Sequence, residues 1–485
     1  MVVIKKKSAA ICISIFFIIC ALPVLLTPFS GGAPAAEKRA LAEFPSIVTE
    51  EGRPNLEFFN SLSDYLSDRF YFRAQLVSVN SLIKENVFKT SGNEKVIVGK
   101  NGWLFFHETL DDYTGGKQVS ERGLNNMVSV LRLIDEYVRD KGGKFIFVPA
   151  PNKNSVYPQY MPPRYIPGKS SVLDSLYAAL EDEGIPFIDL KTYLRRTISS
   201  DVPLYHKRDS HWNNLGAWFV CNKILDRLNK PPLACPVNYT ERVYEGDLDA
   251  MLYPSLKRLD DQVFFDYIPT YTYTSNFKSP DDITIRAENP AKTGSLLMFR
   301  DSFGNALLPF IAEDFRETCY TRAVPYNLTL METMESPDVV IELAERNLGN
   351  LLTRAPIMPA PLREPERRDI PAAEKTEGYT FMRQRVHQGF LHLYGGIDDF
   401  YLSDKNEIYI LISSERGKLM HEAFPVHENI LLGEEGRGGF SAYLPLDGLP
   451  EGDFDISLII NNRNGMRQIE GVGFAENKEW LINNL

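Results

Sequence analysis

Two periodicities alternate along the middle of the chain. Apolar residues recur three and four positions apart and then give way to short continuous apolar runs, which is how helices interleaved with buried strands look in sequence. Leu124, Met127, Val128, Leu131, Ile134 and Val138 form one helical stripe, closed by Gly142-Gly143 and followed by a strand expected at 145–148. Leu173, Leu176, Tyr177 and Leu180 form a second stripe before Gly184, with a strand expected at 185–190. Further on, a helix is expected over 213–228, a strand at 295–299, a helix over 304–314 and a strand at 338–342. Such alternation predicts an α/β fold, a doubly wound parallel sheet wrapped by helices.

Different patterns flank this region. Phe58, Phe59, Leu62, Tyr65 and Leu66 give one apolar face to a helix expected over 56–84. Residues 96–106 read as a hairpin, two apolar arms around Asn101-Gly102, with the aromatic second arm in the core. Residues 253–285 are irregular and rich in tyrosine, either one wall of a cleft or an ordinary surface insertion. Between 355 and 377 the composition turns to prolines and charges, with Pro356, Pro359, Pro361, Pro365 and Pro371, which predicts a semi-rigid linker. Beyond it the period is two, with strands expected at 390–394, 408–412, 440–446 and 454–460, the pattern of a small all-β sandwich. The expected organisation is thus a leader over 1–36, a catalytic α/β domain over 37–354, a linker over 355–377 and a β-sandwich module over 378–485. That module is either carbohydrate-binding or a plain packing domain.

Charge and targeting narrow the function. Lys and Arg number 53 against 64 Asp and Glu, for a net charge of -11, and no long basic block lies outside the N-terminus, which argues against a nucleic-acid partner. A neutral or carbohydrate substrate fits this balance. Lys5, Lys6 and Lys7 precede an apolar run over 9–26 and then Ser30, Gly31 and Gly32, the layout of a signal peptide or signal anchor. The body of the chain is therefore expected outside the cytoplasm, in the cell envelope. The run is about the 18–20 residues that a spanning helix needs, which favours retention as a membrane anchor over cleavage near Ala33-Pro34-Ala35-Ala36. Of five cysteines, Cys12 and Cys20 lie in this run. Cys221, Cys235 and Cys319 allow one bridge, with Cys221–Cys235 the nearest pairing, or three free thiols.

Two polar stretches carry candidate chemistry. In Tyr205-His206-Lys207-Arg208-Asp209-Ser210-His211-Trp212 a carboxylate and an imidazole stand two residues apart, so an extended backbone sends both side chains to the same side. That spacing suits a general base with the acid that orients it. Two other readings share the residues: Asp209 as a helix cap, or His206, Asp209 and His211 as a metal site. In Leu296-Leu297-Met298-Phe299-Arg300-Asp301-Ser302-Phe303-Gly304 an apolar strand breaks at a serine before a helix-like stretch, which would lift a hydroxyl onto the sheet edge and leave the Phe303 and Gly304 amides free at a helix N-terminus. The alternative is a serine that only caps a helix. A doubly wound sheet gathers its strand-end loops on one edge, so the two stretches can meet.

Gly99-Lys100-Asn101-Gly102-Trp103-Leu104-Phe105-Phe106, Pro149-Ala150-Pro151-Asn152-Lys153 with Val156-Tyr157-Pro158, Asp209-Ser210-His211-Trp212 with Gly216-Ala217, and Asp301-Ser302-Phe303 occur together in this order. The set, over about residues 37–350, resembles the SGNH-hydrolase-like domain of alginate O-acetyltransferase proteins and the related DHHW proteins. The resemblance implies an SGNH-hydrolase-like, flavodoxin-like fold and a triad of Ser302 as nucleophile, His211 as base and Asp209 as orienter. It also implies O-acetylation of an exported polysaccharide, with acetyl groups supplied by a membrane-bound O-acyltransferase partner. No cofactor and no metal are implied. Arg300 stands where the wider pattern has glycine, and no Gly-x-Asn-Asp block supplies a second oxyanion donor. The Ser302 amide is one donor, and Lys153, Asn154, Arg300 and Asn305 are candidates for the oxyanion or substrate contact. Two rivals stand beside the acetyltransferase: a carbohydrate acetyl esterase with the same triad, and a polysaccharide-binding scaffold without catalysis.

Overall fold

The computed structural model describes residues 10–484 except 12, 19–20, 23–24, 27–41, 50, 199–202, 234–238, 257, 259, 266–267, 365–369, 374–379 and 428–437. Much of the expected leader, including Lys5 to Lys7, Cys12 and Cys20, lies outside the described residues, as does Cys235. No helix among the described residues is long and apolar enough to cross a membrane. Cys221 and Cys319 are buried free thiols.

Strands β1 (Val96–Val98) and β2 (Leu104–Phe106) pair antiparallel as the expected hairpin, Val96 opposite Phe106, with Asn101 and Gly102 at positive φ in the turn. Strands β3 (Phe145–Ala150), β4 (Tyr239–Tyr244), β5 (Asp260–Phe265), β6 (Thr272–Tyr273), β7 (Thr284–Glu288), β8 (Ser295–Phe299), β9 (Glu317–Thr321) and β10 (Asp338–Ala344) follow. Six of these build one sheet in the order β3-β10-β8-β9-β7-β6, in which β3, β10, β8 and β9 run parallel, β7 pairs antiparallel with β9, and β6 pairs antiparallel with β7. β4 and β5 form a separate antiparallel pair, so part of the irregular stretch is itself strand.

The parallel strands read as unbroken apolar runs because both faces are covered. In β8, Leu296 and Met298 enter one core while Leu297 and Phe299 enter the other. Helix Asn214–Arg227 and helix Leu308–Ala312 pack on the first face, and helices Glu121–Asp140 and Val172–Asp182 on the second. The helix over 56–84 is two helices, Phe58–Arg69 and Arg73–Ile83, broken where Phe72 takes φ 64°. The strand expected at 185–190 reduces to one bridge, Phe187 to Phe147, because Asp189 caps a helix at Leu190–Thr197 through the Thr192 amide. The helix expected over 304–314 is a tight turn at Phe303–Ala306 followed by Leu308–Ala312, with Pro309 in its first turn.

The C-terminal region is all β. Strands β11 (Leu362–Arg363), β12 (Ala372–Ala373), β13 (Phe381–His387), β14 (Phe390–Ile397), β15 (Asn406–Ser414), β16 (Gly417–His427), β17 (Gly438–Pro445), β18 (Asp453–Asn462) and β19 (Gly465–Asn477) join in one curled nine-stranded sheet. β16 pairs with β15 through Ala423 and with β17 from Phe424 onward, so it passes from one leaf to the other. The leaves enclose a core that includes Leu393, Ile410, Phe440 and Leu458. β11 and β12, inside the proline-rich stretch, pair with β16 and β19.

The two regions share packing. Phe424 and Val426 of β16 belong to the core beneath helix Glu121–Asp140. Beside them Glu422 meets Arg132 of that helix and, at 2.6 Å, Arg363, which in turn meets Glu136 at 2.5 Å.

Candidate active site

The loop 205–212 is fixed from below and from both ends. A bridge between Tyr205 and Trp212, both buried, closes it, and the Tyr205 hydroxyl donates to the Pro151 carbonyl at 2.7 Å. Lys153, at the first position of the short helix after β3, sends its ammonium under the loop, where it donates to the carbonyls of His206 (3.0 Å), Lys207 (3.1 Å) and Asp209 (2.5 Å). Burial pulls this ammonium down to about 8, against the opposing pull of Asp209. The cap of the helix that follows is Asn213, whose side chain accepts from the Gly216 amide, so Asp209 is not spent on capping.

Asp209 uses both oxygens. Oδ1 accepts from the His211 amide at 2.9 Å and from His211 Nδ1 at 2.7 Å, while Oδ2 accepts from the Asp247 amide at 2.9 Å. A proton on Nδ1 leaves Nε2 as an acceptor, and the Ser302 hydroxyl lies 2.8 Å from it. The structure thus brings together the three residues singled out from sequence, although Ser302 is 91 positions beyond His211. Gly246 lets the Asp247 amide reach Asp209, since a Cβ there would stand 2.3 Å from the Arg208 carbonyl oxygen.

Ser302 follows β8 and begins the turn Phe303–Ala306. Asp301 ties that turn to the next strand: its carboxylate accepts from the Phe303 amide (2.9 Å), the Ala344 amide (2.9 Å) and Asn347 Nδ2 (2.8 Å). Its own amide donates to Glu342 at 3.0 Å. The Phe303 amide, expected to be free, is therefore occupied.

Charge around the imidazole is unbalanced towards the acid side. Burial alone would push His211 down, but Asp209 and then Asp247 outweigh it and hold the imidazole above its usual value. For Asp209 burial is likewise outweighed, by His211, and its carboxyl lies well below the ordinary range. Burial and the neighbouring Asp209 raise Asp247, which accepts from the Ser210 amide (2.8 Å) and hydroxyl (2.7 Å).

Ser302 and His211 open on a cavity of about 430 Å³ whose walls include Phe106, Asp247, Arg322 and Arg346. The further donor candidates point elsewhere. Lys153 is engaged under the loop, and Asn154 donates to Thr109 at 2.9 and 3.1 Å. Arg300 is buried with Nη2 on the carbonyls of Pro280 (2.7 Å) and Asp282 (3.2 Å) and Nη1 on Asn305. Asn305 donates to Asp281 at 2.9 Å. His206 stacks on Tyr244 and contacts Gln262 at 3.0 Å; among the described residues the three ligand atoms that do converge belong to Asp209, His211 and Asp247. Sequence reasoning passed over Asp247, the first residue of the short helix Asp247–Leu252, and Arg346 and Asn347, which sit in the tight turn Glu345–Asn347. Glu342 did leave a signal, a carboxylate between the apolar residues Val339-Val340-Ile341 and Leu343-Ala344.

Residues 96–282 match the family described as SGNH hydrolase-like domain, acetyltransferase AlgX. Over that stretch, less than half of the chain, the sequence is similar to such an SGNH hydrolase-like domain. Among curated relatives, the probable alginate O-acetylase AlgJ of Pseudomonas aeruginosa is 27% identical over 172 residues, 33% of this chain and 42% of that protein, so less than half of the relative's length is spanned. Two similar solved structures are Bacillus cereus PatB1 with a sulfonyl adduct and a DHHW family protein from Eubacterium siraeum. The first is 13% identical over 52% of this chain and 97% of that one, with a TM-score of 0.40. The second is 17% identical over 53% of this chain and 97% of that one, with a TM-score of 0.38.

Proposed function

We propose that this chain is an O-acetyltransferase that holds an acetyl group on Ser302 and passes it to a hydroxyl of an exported polysaccharide. The observation that carries the reading is the continuous relay from Asp209 to His211 at 2.7 Å and from His211 to Ser302 at 2.8 Å, opening on a cavity. Ser302 Oγ attacks the acetyl carbonyl and gives its proton to His211 Nε2; Asp209 stabilises the imidazolium; the leaving oxygen takes the proton and departs. A sugar hydroxyl then gives its proton to His211 and attacks the acetyl carbon, the bond to Ser302 Oγ breaks as His211 returns the proton to it, and the sugar leaves as the ester. The domain over 37–354 does this chemistry, 355–377 connects it to the module over 378–485, and the N-terminal segment holds the chain at the outer face of the membrane. There a membrane-bound O-acyltransferase supplies the acetyl groups. The alginate O-acetylase name of the Pseudomonas relative supports a polysaccharide acceptor.

Transfer must outrun water at ~55 M, which demands a high effective molarity of the acceptor hydroxyl. The test is to give the protein an activated acetyl ester with unacetylated oligosaccharides and weigh the products by mass spectrometry. Sugars heavier by one acetyl group with wild type, and none with Ser302→Ala, are expected. Free acetate alone with every acceptor, together with rapid stripping of acetylated oligosaccharides, would replace the transferase by an esterase. Equal turnover by wild type and Ser302→Ala leaves only a binding scaffold.

A further inference from the structure

We propose that Arg346 is a catalytic residue of this site, its guanidinium receiving the negative charge that develops on the carbonyl oxygen as Ser302 attacks. The inference rests on the acetyl-serine reading above and adds to it a residue that sequence reasoning did not single out.

Arg346 lines the same cavity as Ser302 and His211. Its place there is fixed by the nucleophile turn itself. It sits in the tight turn Glu345–Asn347 at the end of β10, and Asp301, the residue before the serine, binds the Ala344 amide and the Asn347 side chain on either side of it. What holds the guanidinium is aromatic rather than anionic: its carbon stands 5.3 Å from the Phe303 ring centre and 5.8 Å from that of Phe106. Among the described residues it makes no ion pair and no side-chain hydrogen bond. The other cation on the wall, Arg322, is neutralised by Asp281 at 2.9 Å. Arg346 is thus the cavity cation whose planar array of N–H donors is unspent.

Acyl transfer creates one anion in this cavity whatever the acceptor. When Oγ bonds to the acetyl carbon and its proton moves to His211 Nε2, the carbonyl π pair moves onto oxygen. When that pair returns, the bond to the leaving oxygen breaks and His211 returns the proton. The same oxyanion recurs as the sugar hydroxyl attacks. The Ser302 amide makes one contact to it, and Lys153, Asn154, Arg300 and Asn305 are committed elsewhere. A preset cation in a site walled by protein stabilises developing charge without reorganising.

The test uses p-nitrophenyl acetate, a neutral ester, so that recognition of an anionic acceptor does not enter. Arg346→Met is expected to lower kcat by ~10²–10³ with KM little changed, as for the loss of an oxyanion donor, and Arg346→Lys to recover part of it. Because Arg346 opposes protonation of His211, the acidic limb of the pH–rate profile should also move to higher pH in Arg346→Met. If the Met variant fails to fold by circular dichroism, the Lys variant decides: wild-type kcat overturns the proposal and a partial loss with unchanged unfolding temperature upholds it. Unchanged kcat in Arg346→Met, or a change in KM alone, overturns it, even if transfer to anionic sugars is lost. Ser302→Ala separates the two levels. If that variant is inactive while Arg346→Met is fully active, only this inference falls; if Ser302→Ala is as active as wild type, the acetyl-serine reading falls with it.

Discussion

At the scale of single residues the site depends on which proton sits where. Asp209 accepts from Nδ1 of His211, and an asparagine there can offer its amide instead, turning the imidazole so that Nε2 carries hydrogen and cannot take one from Ser302. Asp209→Asn is therefore expected to keep the fold and cut ester turnover by ~10⁴, as loss of the tautomer-fixing acid does. Circular dichroism together with initial rates checks both halves. Asp247 works at longer range, 3.9 Å from Nδ1, and is one of the charges that hold the imidazole above its usual value. A base whose pKa is raised loses activity as pH falls through that value, so Asp247→Asn should move the acidic limb of kcat/KM to lower pH, the opposite direction to Arg346→Met. The Asp-x-His spacing and the strand-then-serine pattern were legible because each is local. Asp247 and Arg346 were not, since what matters in them is which loop they fold against.

At the scale of elements, the relay survives because several loops are pinned to one sheet edge. Gly246 makes one of these contacts, with no room for a methyl group against the Arg208 carbonyl. Gly246→Ala should push the 246–247 turn away, break the Asp247 amide bond to Asp209 and lower turnover at least tenfold, with a smaller effect on thermal unfolding than on rate. Rates beside unfolding temperatures would show it, and wild-type turnover would mean that the turn is not a support. Sequence patterns located β8 to the residue because it is buried on both faces and apolar throughout. They missed β13 and β19, where Arg, Gln and Glu alternate with apolar residues along half-covered strands, and β16, where Lys418, His421 and Glu422 interrupt a largely buried strand. They overcalled 185–190 because an apolar edge segment with one bridge has the same composition as a strand.

At the scale of the whole molecule, the β module is part of the α/β layer's packing. Glu422 is nearly buried between Arg132 and Arg363, each about a third exposed, and joins helix Glu121–Asp140 to β11 and β16. Removing one member of such a cluster strands the others, so Glu422→Ala should cost about 2 kcal/mol, a figure reduced from that of a fully buried pair because both arginines reach solvent. Urea unfolding followed by tryptophan fluorescence measures it; a loss below about 0.5 kcal/mol would mark the cluster as surface decoration. The shift of composition at 355–377 was readable as a boundary, but the sequence carried no mark of the strands inside it or of the contact across it, because such contacts join residues some 290 positions apart.

β16 divides its residues between two bodies, Ala423 in the core of the module and Phe424 and Val426 in the core under the helices. A gene cut at the proline-rich stretch would leave the α/β half without two of its own core side chains and the other half with two apolar residues facing nothing. The halves are therefore not interchangeable cassettes. A chimera that swaps in another C-terminal module must bring a strand that ends in the same way, or rebuild the surface it leaves bare, and the pair is bound to diverge together rather than be shuffled.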